Sequence, residues 1–284
     1  MRALVANIEE VFREASARWT LMAYFALSSL FILIFAMAVN LDVVNGALAG
    51  AKIFGKEAHM RGETIDLNTL VTNFEWGFSV LLYIVGTFLA LFATAHLVPR
   101  LQEKGTIDLY LSRPVGRIQL LLSRYLGGLI LSGANIFFLI GSIWLIVVYK
   151  THVIHPRFLL GGAIILFCIA CLLAFAFLVG VVTSSTAVSM MATFALFGFS
   201  ALLASHDRIA ASLSSEWSAG IVQGLYWILP KTFELGQAVI ALVAPNDAPA
   251  RVLQSLSLMP FLTTGLFGLA SLALAAWLFK RKDF

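Results

Sequence analysis

Two pairs of side chains have the spacing of sites that hold metals or do redox chemistry. Cys168-x-x-Cys171 has the spacing of a reactive thiol pair, and His152-x-x-His155 places two imidazoles in a short turn. Both cysteines lie in an apolar run that contains no His or carboxylate, so we expect small buried hydrophobic residues. The two histidines supply fewer ligands than a zinc site needs. We therefore predict no metal site and no catalytic residues.

A third candidate, GAKIFGKE at residues 50–57, is close to the phosphate-binding pattern G-x-x-x-x-G-K-[ST]. Glu57 stands where that pattern has a hydroxyl for Mg²⁺, and a carboxylate at this position repels phosphate. No buried strand is predicted before the segment, although the pattern requires one. We therefore treat the match as a coincidence and predict no cofactor in this chain.

The composition shows which solvent surrounds these side chains. Of 284 residues, 60% are hydrophobic and only 12% are charged, whereas soluble domains carry about 25% charged residues. So few charges cannot cover a globule in water, which indicates that lipid surrounds most of the chain. The net charge of +4 is too small to indicate a nucleic-acid partner.

Six apolar segments are long enough to cross a membrane, since about 20 residues span its hydrocarbon core. The predicted spans are residues 19–41, 76–98, 122–149, 158–183, 187–205 and 258–279. The predicted fold class is therefore an all-α polytopic membrane protein with six transmembrane helices, in a single transmembrane domain over residues 1–284. The boundary between the fourth and fifth spans is the least distinct, because only a short polar run separates them.

Positive charge sets the predicted orientation of the spans. An even number of spans puts both termini on one side, which then holds eleven of the nineteen Lys and Arg residues and a net charge of +5, against −1 on the other side. We predict that both termini are cytoplasmic. Residues 1–18 carry Leu4, Ile8 and Val11 at helical spacing, which predicts an amphipathic helix on the cytoplasmic membrane surface or an extension of the first span.

The longest loop, residues 206–257, is predicted on the outer face. Its apolar pieces, 219–229 and 233–243, are too short to cross the membrane, and Pro230 and Pro245 punctuate them. We expect interfacial helices that lie at, or dip into, the outer face. Three aromatic residues are expected at the level of the lipid headgroups: Trp217, Tyr226 and Trp227.

The interiors of the predicted spans contain no Asp, Glu, Lys or Arg. This disfavours ion-coupled transport, because a transported proton or cation needs an ionisable group at membrane depth. Small and weakly polar residues in the third span are predicted to form helix-packing surfaces rather than a binding site: Gly128, Ser132, Gly133 and Asn135.

The cytoplasmic connection over residues 99–121 contains the most informative segment, EKGTIDLYLSRPVGR. Residues 103–113 have the length of a short helix, which Thr106 caps and Pro114 ends. The helix then restarts into the third span, with Arg117 and Arg124 two turns apart on one face. An ordinary positively charged anchor explains the arginines but not the breaks at Gly105 and Pro114.

This segment resembles the permease subunits of ABC-2 type transporters, whose pattern is E-x-G-T-[IL]-x-x-[LY]-L-x-x-P-[VL]-x-R, followed by L-L-x-[KR]-[YF]-[LV]-G. The matching residues are Glu103, Gly105, Thr106, Leu111, Pro114, Arg117, Leu121, Leu122, Arg124, Tyr125 and Gly127. The branch it looks most like contains permeases of copper-enzyme maturation, including the nitrous-oxide-reductase accessory permease. The order of spans and loops is also similar along the whole chain.

The resemblance implies a type V exporter-like transmembrane domain whose coupling helix docks on a separate cytoplasmic ABC ATPase. The implied docking residues are Glu103, Gly105, Thr106, Asp108, Leu111, Arg113, Pro114 and Arg117. It also implies two ATPase copies that hold ATP and Mg²⁺, a second permease copy in a homodimer, and a bacterial inner membrane. The chain itself is then not an enzyme, and it takes part in export or in outward force transmission.

A different hypothesis remains open from the residues. The chain is then a non-transporting membrane scaffold or assembly factor, and the helices of residues 206–257 recruit an extracytoplasmic accessory protein. A scaffold needs no ATPase at residues 103–114, so energy coupling distinguishes the two hypotheses.

Overall fold

The chain forms a bundle of long helices in the computed structural model. The structure describes residues 13, 19–44, 47–53, 56–57, 67–102, 116–212, 216–244 and 257–282, with the backbone alone for 19–21, 38–53, 56–57, 67–70 and 216. The helices are α1 (Trp19–Ala38), α2 (Leu67–Thr94), α3 (Leu97–Leu101), α4 (Arg117–Thr151), α5 (Pro156–Thr183), α6 (Thr186–Leu203), α7 (His206–Ser212), α8 (Glu216–Ile228), α9 (Thr232–Val243) and α10 (Met259–Arg281).

Five helical stretches of the described chain are long and apolar enough to cross a membrane. They are Val71–Leu101, Arg117–Thr151, Pro156–Thr183, Thr186–Leu203 and Met259–Arg281. Helix α1 is 20 residues long and includes the apolar segment Met22–Met37. The predicted polytopic helical fold is therefore confirmed.

Helix α2 begins at Leu67 rather than near residue 76, and this corrects one expectation. Glu75 lies inside the membrane-spanning stretch and is only 2% exposed. A carboxylate oxygen of Glu75 lies 3.4 Å from Nδ1 of His155, the residue before α5. A partner on another helix thus allows an acidic residue to lie deeper than hydropathy alone predicts.

The first long loop contains a small sheet. Its strands are β1 (Val39–Val44), β2 (Ala47–Ile53) and β3 (Lys56–Glu57), paired antiparallel in that order. The all-α class therefore holds for the spanning part only. Gly50 lies within β2, so GAKIFGKE is not a phosphate-binding loop that leads from a strand into a helix.

Helix α5 is the centre of the bundle, because it is apolar on every face. It packs against α10, α4, α9, α6 and α2, and it buries Leu172, Leu173 and Phe177 completely. Glycines let the neighbours approach closely. A Cβ atom on Gly268 of α10 would lie 3.1 Å from the Cα atom of Cys171, so this cysteine is a packing residue.

The predicted packing residues of α4 are all buried. A Cβ atom at Gly128 would lie 2.8 Å from Cδ1 of Leu97, and one at Gly133 would lie 3.3 Å from a methyl of Leu166 in α5. The Ser28 hydroxyl of α1 donates to Oδ1 of Asn135 over 2.8 Å. Hydrogen bonds between helices of this kind hold membrane bundles together. Ser132, 0% exposed, lies less than one turn from Asn135.

The chain direction defines two ends of the bundle. At one end α2–α3, α5 and α10 finish and α4 and α6 begin; we call this the loop end, because residues 103–115 connect there. The other end carries α7, α8 and α9, and we call it the hairpin end. Helix α9 inserts among α2, α5 and α6 and buries Leu235, Ala238 and Val239.

Contacts between α2 and α9 fix the inserted helix. The Tyr83 hydroxyl donates to the carbonyl oxygen of Thr232 and lies 3.2 Å from Sγ of Cys168. Gly236 faces the same ring, and a Cβ atom there would lie 2.6 Å from Cε1 of Tyr83. Only glycine fits between α9 and this tyrosine.

Gly236→Ala therefore tests the insertion of α9. The added methyl must displace the Tyr83 ring, and we expect a loss of about 1–3 kcal/mol in the free energy of unfolding. The matched control is Gly224→Ala on α8, where a Cβ atom meets nothing within 4 Å. Helix propensity alone makes that change neutral or stabilising by up to about 1 kcal/mol. Thermal unfolding of purified protein in detergent compares the two; equal melting temperatures would contradict the packing described.

Candidate functional site

The predicted docking residues belong to the connection between α3 and α4 and to the first residue of α4. Glu103, Gly105, Thr106, Asp108, Leu111, Arg113 and Pro114 lie outside the described residues. The structure does describe the two residues where this connection leaves and rejoins the bundle. These are Gln102, directly after α3, and Arg117, the first residue of α4.

Helix α3 seats the first of these ends against α5. A turn at Ala95–His96 separates it from α2, and its apolar residues are buried. A Cβ atom at Gly180 of α5 would lie 3.2 Å from Cδ of Pro99, so glycine allows the two helices to touch. The side-chain amide of Gln102 then donates through Nε2 to the Gly180 carbonyl over 2.9 Å.

Lys282, directly after α10, binds both Gln102 and the end of α5. Its ammonium donates to Oε1 of Gln102 over 2.6 Å, to the Val181 carbonyl over 2.7 Å and to Oγ of Ser184 over 2.8 Å. The Ser184 hydroxyl also donates to Oε1 of Gln102. These residues, Gln102, Ser184 and Lys282, form the Gln102 cluster. A lysine at the last carbonyls of a helix also matches the negative end of its dipole.

Arg117 attaches the second end of the connection to the same segment. Its guanidinium donates to the carbonyl oxygens of Lys282 over 2.8 Å and of Lys280 over 3.3 Å. Lys282 therefore contacts both ends of residues 103–115, Gln102 through its ammonium and Arg117 through its carbonyl. The connection starts and ends on one fixed base.

The turn between α5 and α6 places Ser184 in this base. Ser184 has a left-handed backbone with φ of 53°, and its N–H donates to the Gly180 carbonyl, which ends α5. Ser185 is the N-cap of α6, and its hydroxyl accepts from the N–H of Val188. Serine is favoured at such caps because its oxygen satisfies a helix N–H.

A layer of buried apolar side chains lies under the Gln102 cluster. Its members come from α3, α4, α5 and α10: Leu97, Val98, Leu121, Leu173, Phe177, Val181, Ala275 and Phe279. Close packing makes the ends of these four helices a single rigid unit. These contacts join the ends of the four helices beside the connection.

The loop end is rich in positive charge. Arg124 is 3% exposed within α4, and the Arg281 guanidinium carbon lies 4.1 Å from the centre of the Trp277 ring, a cation–π contact. Lys280 is exposed. Burial lowers the pKa of Lys282, which is consistent with an ammonium that needs several oxygen acceptors.

Sequence reasoning missed the roles of Gln102, Ser184 and Lys282. The basic residues of the C-terminal end were used only in the charge count that set the predicted orientation, and the serines at 184–185 only as a span boundary. The available signal was the pair of consecutive serines between two apolar runs, which is typical of a helix end followed by a cap. Of the predicted docking residues, the structure brings Arg117 to this cluster.

Within the described residues there is no group of three or more His, Cys, Asp or Glu side chains that is able to hold a metal. Cys168 and Cys171 are buried within α5. His155 contacts Glu75, and burial together with Arg157 lowers the pKa of its ring.

Lys282→Met tests the Gln102 cluster. The substitution removes three hydrogen bonds from the ammonium, and we expect a loss of roughly 1–3 kcal/mol in the free energy of unfolding. Lys280→Met is the matched control, because it removes the same charge two residues earlier from an exposed side chain. Thermal unfolding in detergent separates the two. Similar melting temperatures for both variants would mean that the loss of charge, and not the cluster, sets the effect.

Comparison with known proteins shows the family of the chain. No curated protein matches the chain. A family model described as ABC-2 family transporter protein matches residues 12–284, which is nearly the whole chain and includes the segment that resembles the ABC-2 pattern. The chain is therefore a membrane-spanning permease of the ABC-2 transporter family.

Proposed function

We propose that this permease couples ATP hydrolysis by a separate cytoplasmic ABC ATPase to export, or to force transmitted across the membrane. One observation carries the proposal: Lys282 contacts both Gln102 and Arg117, and so joins the two ends of residues 103–115 to α10. A segment anchored in this way passes a displacement of its partner on to the helices instead of deforming itself.

The proposed path of motion follows the contacts. Residues 103–115 connect α3 to the start of α4, and the apolar layer under the Gln102 cluster joins both helices to α5 and α10. Since α5 packs against most of the bundle, a small rotation at the loop end reaches the hairpin end. Packed helices move as rigid bodies on this scale.

The docking contacts themselves are proposed from sequence. Glu103 and Asp108 are the acidic residues of a segment that leaves a positively charged base, and we propose that they set the orientation of the ATPase. Two ATPase copies, which hold ATP and Mg²⁺, and a second permease copy complete the transporter. The loop end then faces the cytoplasm of a bacterium, and this chain contributes no catalytic residue.

The class of cargo is proposed from the spanning helices. An apolar cavity of about 200 Å³ lies between α1, α2 and α4, lined by Leu27, Phe31, Leu82, Val85 and Leu139 among others. The charged side chains described within the spans lie toward their ends. These features support a lipid-like or hydrophobic cargo over an ion, because ion transport needs ionisable groups at depth.

Reversing the charge of Glu103 and Asp108 together tests the coupling. The chain is purified from its native membrane in mild detergent, and co-eluting ATPase activity is measured. We expect Glu103→Lys with Asp108→Lys to lower the recovered activity about tenfold, which corresponds to roughly 1.4 kcal/mol of binding free energy. The protein level in the membrane should stay unchanged.

The matched control is Glu63→Lys with Asp66→Lys, which makes the same change of charge in the loop predicted on the opposite side. It should leave the recovered ATPase activity unaffected. If no ATPase elutes with the wild-type chain, or if the double variant retains it, the coupling proposal fails. Recovery of an extracytoplasmic protein without an ATPase would support the scaffold hypothesis in its place.

A further inference from the structure

The surface of α8 is apolar where a water-soluble protein would be polar. Trp217, Ile221, Leu225 and Ile228 recur at helical spacing, and 82%, 54%, 37% and 68% of their surfaces are exposed, respectively. Their spacing puts them on one side of the helix. A helix with an exposed apolar face beside membrane spans lies at the boundary between headgroups and acyl chains. We therefore expect lipid against this face.

Lys231 lies in the turn that connects α8 and α9 into a helical hairpin, and it is only 3% exposed. Its ammonium is 4.1 Å from the centre of the Tyr226 ring and 4.7 Å from that of Trp227. Aromatic faces stabilise a cation, but they do not replace hydrogen-bond acceptors. Among the residues that the structure describes, the Lys231 ammonium has no hydrogen-bond partner, although it carries three donors.

Lys231 also stands at the N-terminus of α9, where helix N–H groups favour an anion. Its own N–H donates to Oγ1 of Thr264 in α10, and the N–H of Phe233 donates to Oγ of Ser200 in α6. Contacts to α6 and α10 therefore fix the position of this N-terminus. The Lys231 ammonium and the positive end of the α9 dipole therefore both favour an anion at this position.

Lys231 lies near the hairpin ends of two candidate membrane spans, α6 and α10. Ser200 lies three residues before the end of α6, and Thr264 lies five residues after the start of α10. At 1.5 Å per residue these contacts put Lys231 within about 8 Å of the hairpin ends of both helices. Interfacial helices bury their apolar faces to a comparable depth.

Carboxylates near Lys231 limit the charge that a ligand of this site carries. Glu234 accepts a hydrogen bond from the Tyr226 hydroxyl over 2.8 Å, and Asp207 contacts His206, whose ring stacks on Tyr226 at 3.6 Å. Burial lowers the pKa of Lys231, and the Glu234 carboxylate opposes this shift. Neighbouring negative charges disfavour a polyanionic partner. They suit a headgroup that carries a phosphate and an ammonium together.

We propose that Lys231 binds the phosphate of a zwitterionic phospholipid from the leaflet at the hairpin end, with the acyl chains along the exposed face of α8. The Trp227 ring covers the ammonium but is itself 53% exposed, so movement of this one ring admits the phosphate. The lipid then holds the hairpin of α8 and α9 in the membrane. This inference depends on the membrane location of the chain and not on ATPase coupling.

The test measures retained phospholipid by native mass spectrometry of the full chain in detergent, with short-chain phosphatidylethanolamine added. We expect Lys231→Met to weaken binding at least tenfold and Lys231→Arg, which keeps the charge, to retain it. Lys150→Met is the matched control. Lys150 also lies near the hairpin end, but its ammonium donates to the Ala36 carbonyl over 3.0 Å, so its replacement should leave lipid binding unchanged.

Inorganic phosphate is the second probe, applied to the same preparations. It should compete only weakly, because it cannot contact the apolar face of α8. Equal lipid binding by wild type and Lys231→Met would overturn the proposal. Inorganic phosphate that binds as tightly as the lipid would also overturn it, since the site then takes a free anion. Size-exclusion chromatography of each variant establishes that the bundle has folded.

Discussion

An ammonium near a membrane surface needs oxygen acceptors, and Lys282 finds three of them at the loop end. This side chain brings the end of α3, the turn after α5 and the end of α10 to one point. Its backbone adds the start of α4 through Arg117. If the contact were absent, only the apolar layer under the Gln102 cluster would hold together the helix ends that residues 103–115 connect.

The rest of the bundle is suited to pass such a force on. Helix α5 is apolar all round and touches most of the other helices, and glycines at positions such as 180 and 268 let its neighbours approach to backbone distance. Close-packed interiors have few voids and transmit displacement instead of absorbing it. At the hairpin end, α9 is inserted among the spans, so that end moves with the core. The proposed energy source, a separate ATPase, lies outside the bilayer.

Much of this architecture follows from the sequence. Long apolar runs predict spans because nothing else shields the backbone in lipid, and residues 103–127 carry a pattern specific enough to indicate the family that the match over 12–284 then established. The more specific resemblance to copper-enzyme maturation permeases stays a prediction. Hydropathy fails where tertiary contacts decide: Glu75 enters α2 beside His155, and a short apolar segment, α9, inserts against Tyr83. The strands of residues 39–57 were missed because short polar-apolar runs predict sheet only weakly.

The Gln102 cluster was beyond the reach of sequence pattern for a similar reason. Gln102 and Lys282 are 180 positions apart, and neither residue type is unusual at a helix end. Only the packing of α3 on Gly180 brings them together. Conversely, Glu103–Pro114 were selected by motif alone, and their contacts are a matter for experiment.

Site-specific photo-crosslinking in the native membrane tests the central claim most directly. A photoreactive amino acid replaces Ile107 or Asp108 in turn, and, as the reference for the opposite side, Glu63. The account predicts adducts with an ATP-binding protein from positions 107 and 108 and none from position 63. Absence of such adducts at 107 and 108, or equal adducts from position 63, would contradict the assignment of this connection as the element that receives force from an ATPase.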